Sequence, residues 1–473
     1  PARTQPARLA DLWLQPKPGT DAAIGLGLVR WLISHDRHDG AFVDKWCHGF
    51  AELKERAEPY TPEHVAMLTG VPAADIVRAA EYYADGPSCF VSGHGIDAFS
   101  AGVQTFRAFH ALVAISGNLD RVGGNRRVKR PPGFTNYIEV LHKPEFRLPL
   151  DVEQQTIGAD RFPLWAGPEG WQTACNNPGV IEAALSGNPY PVRAMYVTGV
   201  NIAVTYPDTK RVIAALESLD FLSVATHMMT PTAEYADLVL PKATSLEEEE
   251  VSLDPAGPCV SFTRAIQAPR GEARSDFAFT TDLARRLEAR GIDTRPFFPW
   301  ETKRQFNEFM LGENDISFDQ LEKDGFANFP YELRNFDAVG FKTPTGKIEL
   351  YSTRLEAFGY DPLPYYEEPP ESPLSTPEIA VEFPLVLTTG ARIPFFFNSE
   401  HRQLAKLRKA HPDPLVEIHP ETADRFGVVA GDWVWVETAR GKMQQKARIT
   451  EDIDRRVVHV EHGWWFPEDP APQ

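Results

Sequence analysis

Residues 192–241, "VRAMYVTGVNIAVTYPDTKRVIAALESLDFLSVATHMMTPTAEYADLVLP", decide the fold because three apolar runs are separated by one helical repeat. "VRAMYVTG" (192–199) reads as a strand, and "PDTKRVIAALESL" (207–219) carries apolar residues at helical spacing. "FLSVATHMMTPTAEYADLVLP" (221–241) holds two more short strands around a polar loop. Strands that alternate with a helix imply a parallel sheet, and such sheets bind ligands at the carboxyl ends of their strands. The residues at those ends are Thr198, Gly199 and Asn201, then Ala225, Thr226 and His227.

Upstream, helices dominate. Thr20 and Asp21 offer side-chain oxygens to cap a helix through "DAAIGLGLVRWLISH" (21–35), Thr61 and Pro62 open "TPEHVAMLTG" (61–70), and "PAADIVRAAEYYADG" (72–86) is expected to stop at Gly86 in a left-handed turn. In "SCFVSGHGIDAFSAGVQTFRAFHALVAISGN" (88–118) a strand from Cys89 to Ser92 is expected to run into Gly93-His94-Gly95, with a helix from about Phe99. Glycines at such a turn let backbone N–H groups approach an anion, although a tight turn explains a GxG as well. Downstream, the proline- and acid-rich 361–383 reads as a linker. After it "PLVLTTGAR", "DWVWVETARGKMQQKARI" and "RVVHVEHGWW" alternate like half-buried strands, with a turn at Ala439–Gly441 and a short helix in "HPETADRFGV", which indicates a small β-barrel.

Composition sets the outer bounds. A chain of 473 residues suggests two or three domains. Its 48 basic against 66 acidic residues leave a formal charge of −18, which argues against nucleic acid as a partner. "RRVKRPPG" (126–133) is a local basic exception that suits either a solvated loop or an anion site. The four cysteines, Cys47, Cys89, Cys175 and Cys259, are scattered without a CxxC pair and read as ordinary, mostly buried thiols rather than a local metal loop.

Taken in order, "PGTDAA", "GHG…GNLDRVGGN", "YVTGVN", "HMMTPTAEYADLVLP", "GEARSDF", "TPTGKIELYS", "TTGARIP…SEHRQL", "IHPETADRFGVVAGDWVWVETARGK" and "HGWWFPE" resemble the molybdopterin oxidoreductases of the dimethyl sulfoxide reductase type over essentially the whole chain, most of all the branch containing acetylene hydratase. The resemblance implies two interlocked parallel-sheet α/β domains plus a C-terminal double-psi β-barrel. Its boundaries would be an incomplete first dinucleotide-binding domain over 1–125, a second over 126–360, the linker 361–383 and a cofactor-capping barrel over 384–473. The cofactor implied is a bis(molybdopterin guanine dinucleotide) with molybdenum or tungsten. Gly19, Thr20 and Asp21 would take the first guanine, and Gly93, His94 and Gly95 the first dinucleotide's phosphates or pterin. Gly199 and Asn201 would serve the second dinucleotide, with Thr226 where relatives often carry an acidic guanine contact. Thr389, Gly390 and Arg392 would close over the pterin, and His462, Gly463 and Trp464 would reach back toward it. Arg126, Arg127, Arg130 and His94 are the candidates beside a small-molecule substrate, and no residue of this chain is expected to ligate the metal.

The chain also departs from the resembled pattern. Besides Thr226, "LDPAGPCVSF" replaces an Asn- and Gly-containing segment, Asn398 stands where close relatives often carry His, and most glutamates of "SLEEEEVS" read as a solvated face. The family's four-iron cluster and the protein ligand of its metal belong upstream of "PGTDAA", so the opening "PARTQPARLADLWLQPKPGTDAA" reads as a cut inside a domain. The expected partners are therefore an N-terminal half or subunit carrying those groups, and an electron-transfer subunit, with this chain inactive by itself. The expected location is the cytoplasm, or the periplasm if a leader precedes the chain. Two other readings compete: a non-catalytic structural relative within a larger redox assembly, and a nicotinamide-dependent dehydrogenase, against which the missing GxGxxG fingerprint counts.

Overall fold

The computed structural model describes residues 1–127, 130–170, 174–254, 257–391 and 393–468. The chain divides into two compact units, Pro1–Arg127 with Glu332–Trp464, and Val128–Tyr331 with Trp465–Gln473.

The first unit is helical at its start. Helix Asp21–Ser34 buries eleven of its 14 residues, the signature of a helix enclosed on all sides. Its glycines permit that enclosure: a Cβ at Gly27 would fall 2.9 Å from Val65 Cγ2, so a larger residue would push helix Pro62–Thr69 away. Around it, Leu53, Ile76, Leu112, Ile115 and Phe336 complete one apolar core. Thr61 caps Pro62–Thr69, as expected, by accepting from the His64 N–H, and Gly70 ends it left-handed at φ +78°. Helix Ala73–Ala84 stops differently from expectation, in a right-handed Asp85 whose N–H donates to the Glu81 carbonyl, and no left-handed glycine is required. Residues Cys89–Ser92 also correct the expectation. They form no strand, because the Asn125 amide accepts from the Phe90 N–H and donates to its carbonyl, both at 2.7 Å, and so occupies the groups a neighbouring strand would need. The following helix starts only at Gly102.

The same unit contains the C-terminal sheet. Its five strands run in the order Trp433–Thr438, Gly441–Ile449, Leu415–Ile418, Val457–Glu461, Val386–Ala391. The first two form the expected hairpin, with Thr438 opposite Gly441. Parallel and antiparallel pairings alternate across the sheet, and Val457–Glu461 lies parallel to Val386–Ala391, so both strands end at the same edge. Helix Pro420–Phe426 appears where expected, opened by His419, whose Nδ1 accepts from the Glu421 N–H.

The second unit carries the parallel sheet, in the order Ala194–Thr198, Phe221–Thr226, Leu238–Pro241. Its central strand is buried from Leu222 to Ala225, which is why that run lacks polar alternation. Helix Thr209–Glu217 packs Val212, Ala215 and Leu216 against it. A separate antiparallel sheet, Glu250–Asp254, Cys259–Thr263 and Phe326–Asn328, has no counterpart in the sequence reading, and its core includes Val251, Val260, Met310 and Leu321. The solvated-face reading of "SLEEEEVS" fails at Glu247, which is buried and accepts from Thr244 N–H and Oγ1 and from Arg270 N–H. None of the four cysteines forms a disulfide, but only Cys47 is buried and Cys89 is exposed. Burial pushes the Cys47 thiol up to about 12, so it stays protonated at neutral pH.

Candidate functional site

In the second unit the carboxyl ends of the parallel strands gather the polar residues. Gly199 leaves its strand at φ +70°, a left-handed turn that a side chain would strain, and the turn delivers Asn201 into the interior at 4% exposure. Asn201 Oδ1 accepts from Thr232 Oγ1 at 2.6 Å and Thr232 N–H at 3.2 Å, while its Nδ2 is buried without a partner among the described residues. A buried donor without a protein partner is costly. Beside it, Lys242 Nζ lies 3.1 Å from Thr198 Oγ1 and 2.6 Å from an oxygen of Asp276, and Thr198 Oγ1 donates to Asp276 at 2.9 Å. Sequence reasoning missed Lys242 and Asp276 because each sits at the end of a motif dominated by other residues. Lys242 comes one residue after "LVLP" and Asp276 closes "GEARSD", and only the parallel pairing joins them at one edge. Thr226 turns its hydroxyl to the Met228 carbonyl at 2.9 Å, and His227 Nε2 lies 3.0 Å from the Ala243 carbonyl.

In the first unit Gly19 and Phe99 meet: a Cβ on Gly19 would fall 2.9 Å from the Phe99 ring, which sets the Gly19 turn against Phe99. Thr20 is 2% exposed, but it donates its hydroxyl to Lys17 and makes no capping bond, contrary to expectation. Asp21 is the first residue of its helix, and burial pushes its carboxyl above the usual range. Gly93, His94 and Gly95 are exposed, and His94 Nδ1 lies 2.9 Å from Asp97 Oδ2. The Gly95 N–H donates to Asp97, and that bond, more than the one from His94, holds the Asp97 carboxyl below its ordinary value.

The basic run divides between the units. Arg126 is exposed, whereas Arg127 is half-buried with its guanidinium 5.1 Å from the Phe341 ring centre and 5.9 Å from that of Phe336. Arg130, in the second unit, is ion-paired with Glu139. Thr389 and Gly390 lie exposed near the end of Val386–Ala391, and Arg392 lies outside the described residues. His462, Gly463 and Trp464 follow directly on Val457–Glu461, the parallel neighbour of that strand. Gly463 sits at φ +67°, its absent Cβ 3.3 Å from the Asn398 carbonyl carbon. Among the described residues no three or more His, Cys, Asp or Glu side chains are grouped to hold a metal ion, and no helix is long and apolar enough to cross a membrane.

The molybdopterin oxidoreductase family model matches residues 1–286, and the molydopterin dinucleotide binding domain matches residues 385–471. The chain belongs to the molybdopterin oxidoreductase family. Among its relatives, the chain is 31% identical to the acetylene hydratase of Syntrophotalea acetylenica, over 99% of this chain and 66% of that protein. It is 32% identical to the dopamine dehydroxylase of Eggerthella lenta, over 88% of this chain and 48% of that one. The solved structure of acetylene hydratase from Pelobacter acetylenicus superimposes with a TM-score of 0.89 at 30% identity, covering 99% of this chain and 66% of the other. The chain thus spans roughly half to two thirds of the length of these relatives.

Proposed function

We propose that this chain binds the two guanine dinucleotides of a bis(molybdopterin) molybdenum or tungsten cofactor and caps its pterin, as part of an enzyme that acts on a small molecule. The observation that carries the reading is Asn201, whose buried Nδ2 has no partner among the described residues and which stands behind Gly199 at the end of a parallel strand. In this reading Gly199 and Asn201 hold the second dinucleotide, with Lys242 as a cation for its phosphates. Gly19, Thr20 and Asp21 hold the first guanine, a carboxylate being the acceptor that suits paired N–H donors. Thr389, Gly390, Arg392, His462, Gly463 and Trp464 close over the pterin, in a domain we infer to be the family's double-psi barrel. The metal, when bound, supplies Lewis acidity and a redox store. Arg126, Arg127, Arg130 and His94 orient an anionic substrate or neutralise phosphate. The metal's protein ligand and a four-iron cluster come from sequence outside these residues, in an N-terminal part or a partner subunit. That placement agrees with the share of the relatives' length this chain spans and with its four scattered cysteines.

The test is elemental and nucleotide analysis of the chain purified from a host that makes the cofactor, co-produced with the upstream sequence. Molybdenum or tungsten accompanied by two guanine nucleotides per metal is expected. Clean protein containing neither would overturn the reading in favour of a non-catalytic relative.

A further inference from the structure

Residues 396–411 and 461–464 of the first unit enclose a buried guanidinium that neither the glycine turns nor the basic run pointed to. Arg402 is 0% exposed. Its Nη1 donates to the Asn398 carbonyl at 2.6 Å and its Nη2 to the His462 carbonyl at 3.3 Å. Its Cζ lies 5.0 Å from the ring centres of both Phe396 and Trp464, so two aromatic faces flank the charge. The counter-charge is Glu461, whose carboxylate is itself held by the His411 ring at 2.9 Å and by the Leu415 N–H at 3.1 Å.

The backbone around this group is unusual. Asn398 and His401 are non-glycine residues at φ +48° and +73°, and Gly463 is at φ +67°. Left-handed conformations of that kind are costly for side-chain-bearing residues and persist where the surroundings impose them. Here the surroundings are one planar fork that reaches two carbonyls 64 residues apart in the chain, as counted from Asn398 to His462. A buried apolar residue would fill the same volume without linking the two segments, and a lysine would reach one carbonyl but not both. The two segments continue from adjacent parallel strands, Val386–Ala391 and Val457–Glu461, which end at the same edge of the sheet.

We propose that Arg402 is a positioning residue that locks the loop around Asn398 to the turn His462–Gly463–Trp464, so that the two present one preformed surface to the pterin. This rests on the reading that these segments cap the cofactor.

The experiment compares full-length wild type with Arg402→Met and Arg402→Lys by amide hydrogen exchange and by bound guanine nucleotide. Arg402→Met is expected to speed exchange about tenfold in peptides covering 396–402 and 461–465, the loss of one charged hydrogen bond's worth of protection, while peptide 21–34 stays unchanged and bound nucleotide falls. Arg402→Lys should restore part of both. The proposal is overturned if exchange in the two peptides stays at the wild-type level, or if nucleotide is lost without any change in exchange. Should Arg402→Met fail to fold, Arg402→Lys decides by itself: exchange over 396–402 and 461–465 must exceed the wild-type level while peptide 21–34 does not change. A wild type with no nucleotide would refute the cofactor reading, while the exchange comparison would still decide whether the lock exists.

Discussion

Two glycine-marked turns look alike in the sequence, "VTGVN" at 197–201 and "VSGHGID" at 91–97, and the fold treats them in opposite ways. The first ends a strand that pairs in register with Phe221–Thr226, so Gly199 must reverse the chain sharply and Asn201 is driven into the core. The second follows an extended segment whose hydrogen bonds are taken by one side chain, Asn125, and its glycines remain at the surface with open space around them. At Gly199 the turn organises a buried site because the preceding residues are committed to a sheet: pairing fixes the exit direction and burial makes every polar atom count.

The largest break in this contrast should come from Asn201→Ala. It leaves the Thr232 N–H and hydroxyl buried without their acceptor, and about 1–3 kcal/mol of stability should be lost in denaturant unfolding of the second unit. The equivalent change at the exposed turn, His94→Ala, should stay within about 0.5 kcal/mol. Equal losses at the two positions would erase the distinction.

A smaller effect separates the glycines themselves. Gly199→Ala meets no atom, but it forces a Cβ onto φ +70° and should cost about 1–2 kcal/mol in the same measurement. Gly93→Ala meets no atom and has an ordinary φ, so its effect should fall below the error of the melt.

The smallest effect is confined to one loop. The Asp97 carboxyl is held below its ordinary value mainly by the Gly95 N–H, so its bond is fully present above the usual carboxylate range and is lost as pH falls through the lowered pKa. Protection of the Gly95 amide, followed by NMR exchange, should therefore decline on acidification in the wild type. In Asp97→Asn that acid limb should vanish while the unfolding of the whole chain is unchanged.

These contrasts show how legible the molecule was. The parallel sheet over 194–241 could be read directly, since a central strand buried on both faces is mostly apolar and its helix must carry a 3.6-residue stripe. Helix Asp21–Ser34 was read from Thr20 and Asp21 at its start, and the helix forms although Thr20 makes no capping bond. The order of motifs placed the family, and Gly199 and Asn201 were named with it. The strand expected at Cys89–Ser92 was not real, because local apolar character cannot say whether a partner strand or an Asn125 amide will meet the backbone.

Sequence alone, then, determined the elements whose stability is local or periodic: the enclosed helix, the alternating hairpin at Trp433–Ile449 and the turn that Gly199 makes. Tertiary structure decided the groupings. Lys242 and Asp276 meet Thr198 only because parallel strands end together, and Arg402 reaches the carbonyls of Asn398 and His462 only because a sheet sets two distant loops side by side. The physical reason is the same in each case: a hydrogen bond between residues far apart in sequence is specified by the geometry of the backbone that carries them, not by the residues that form it.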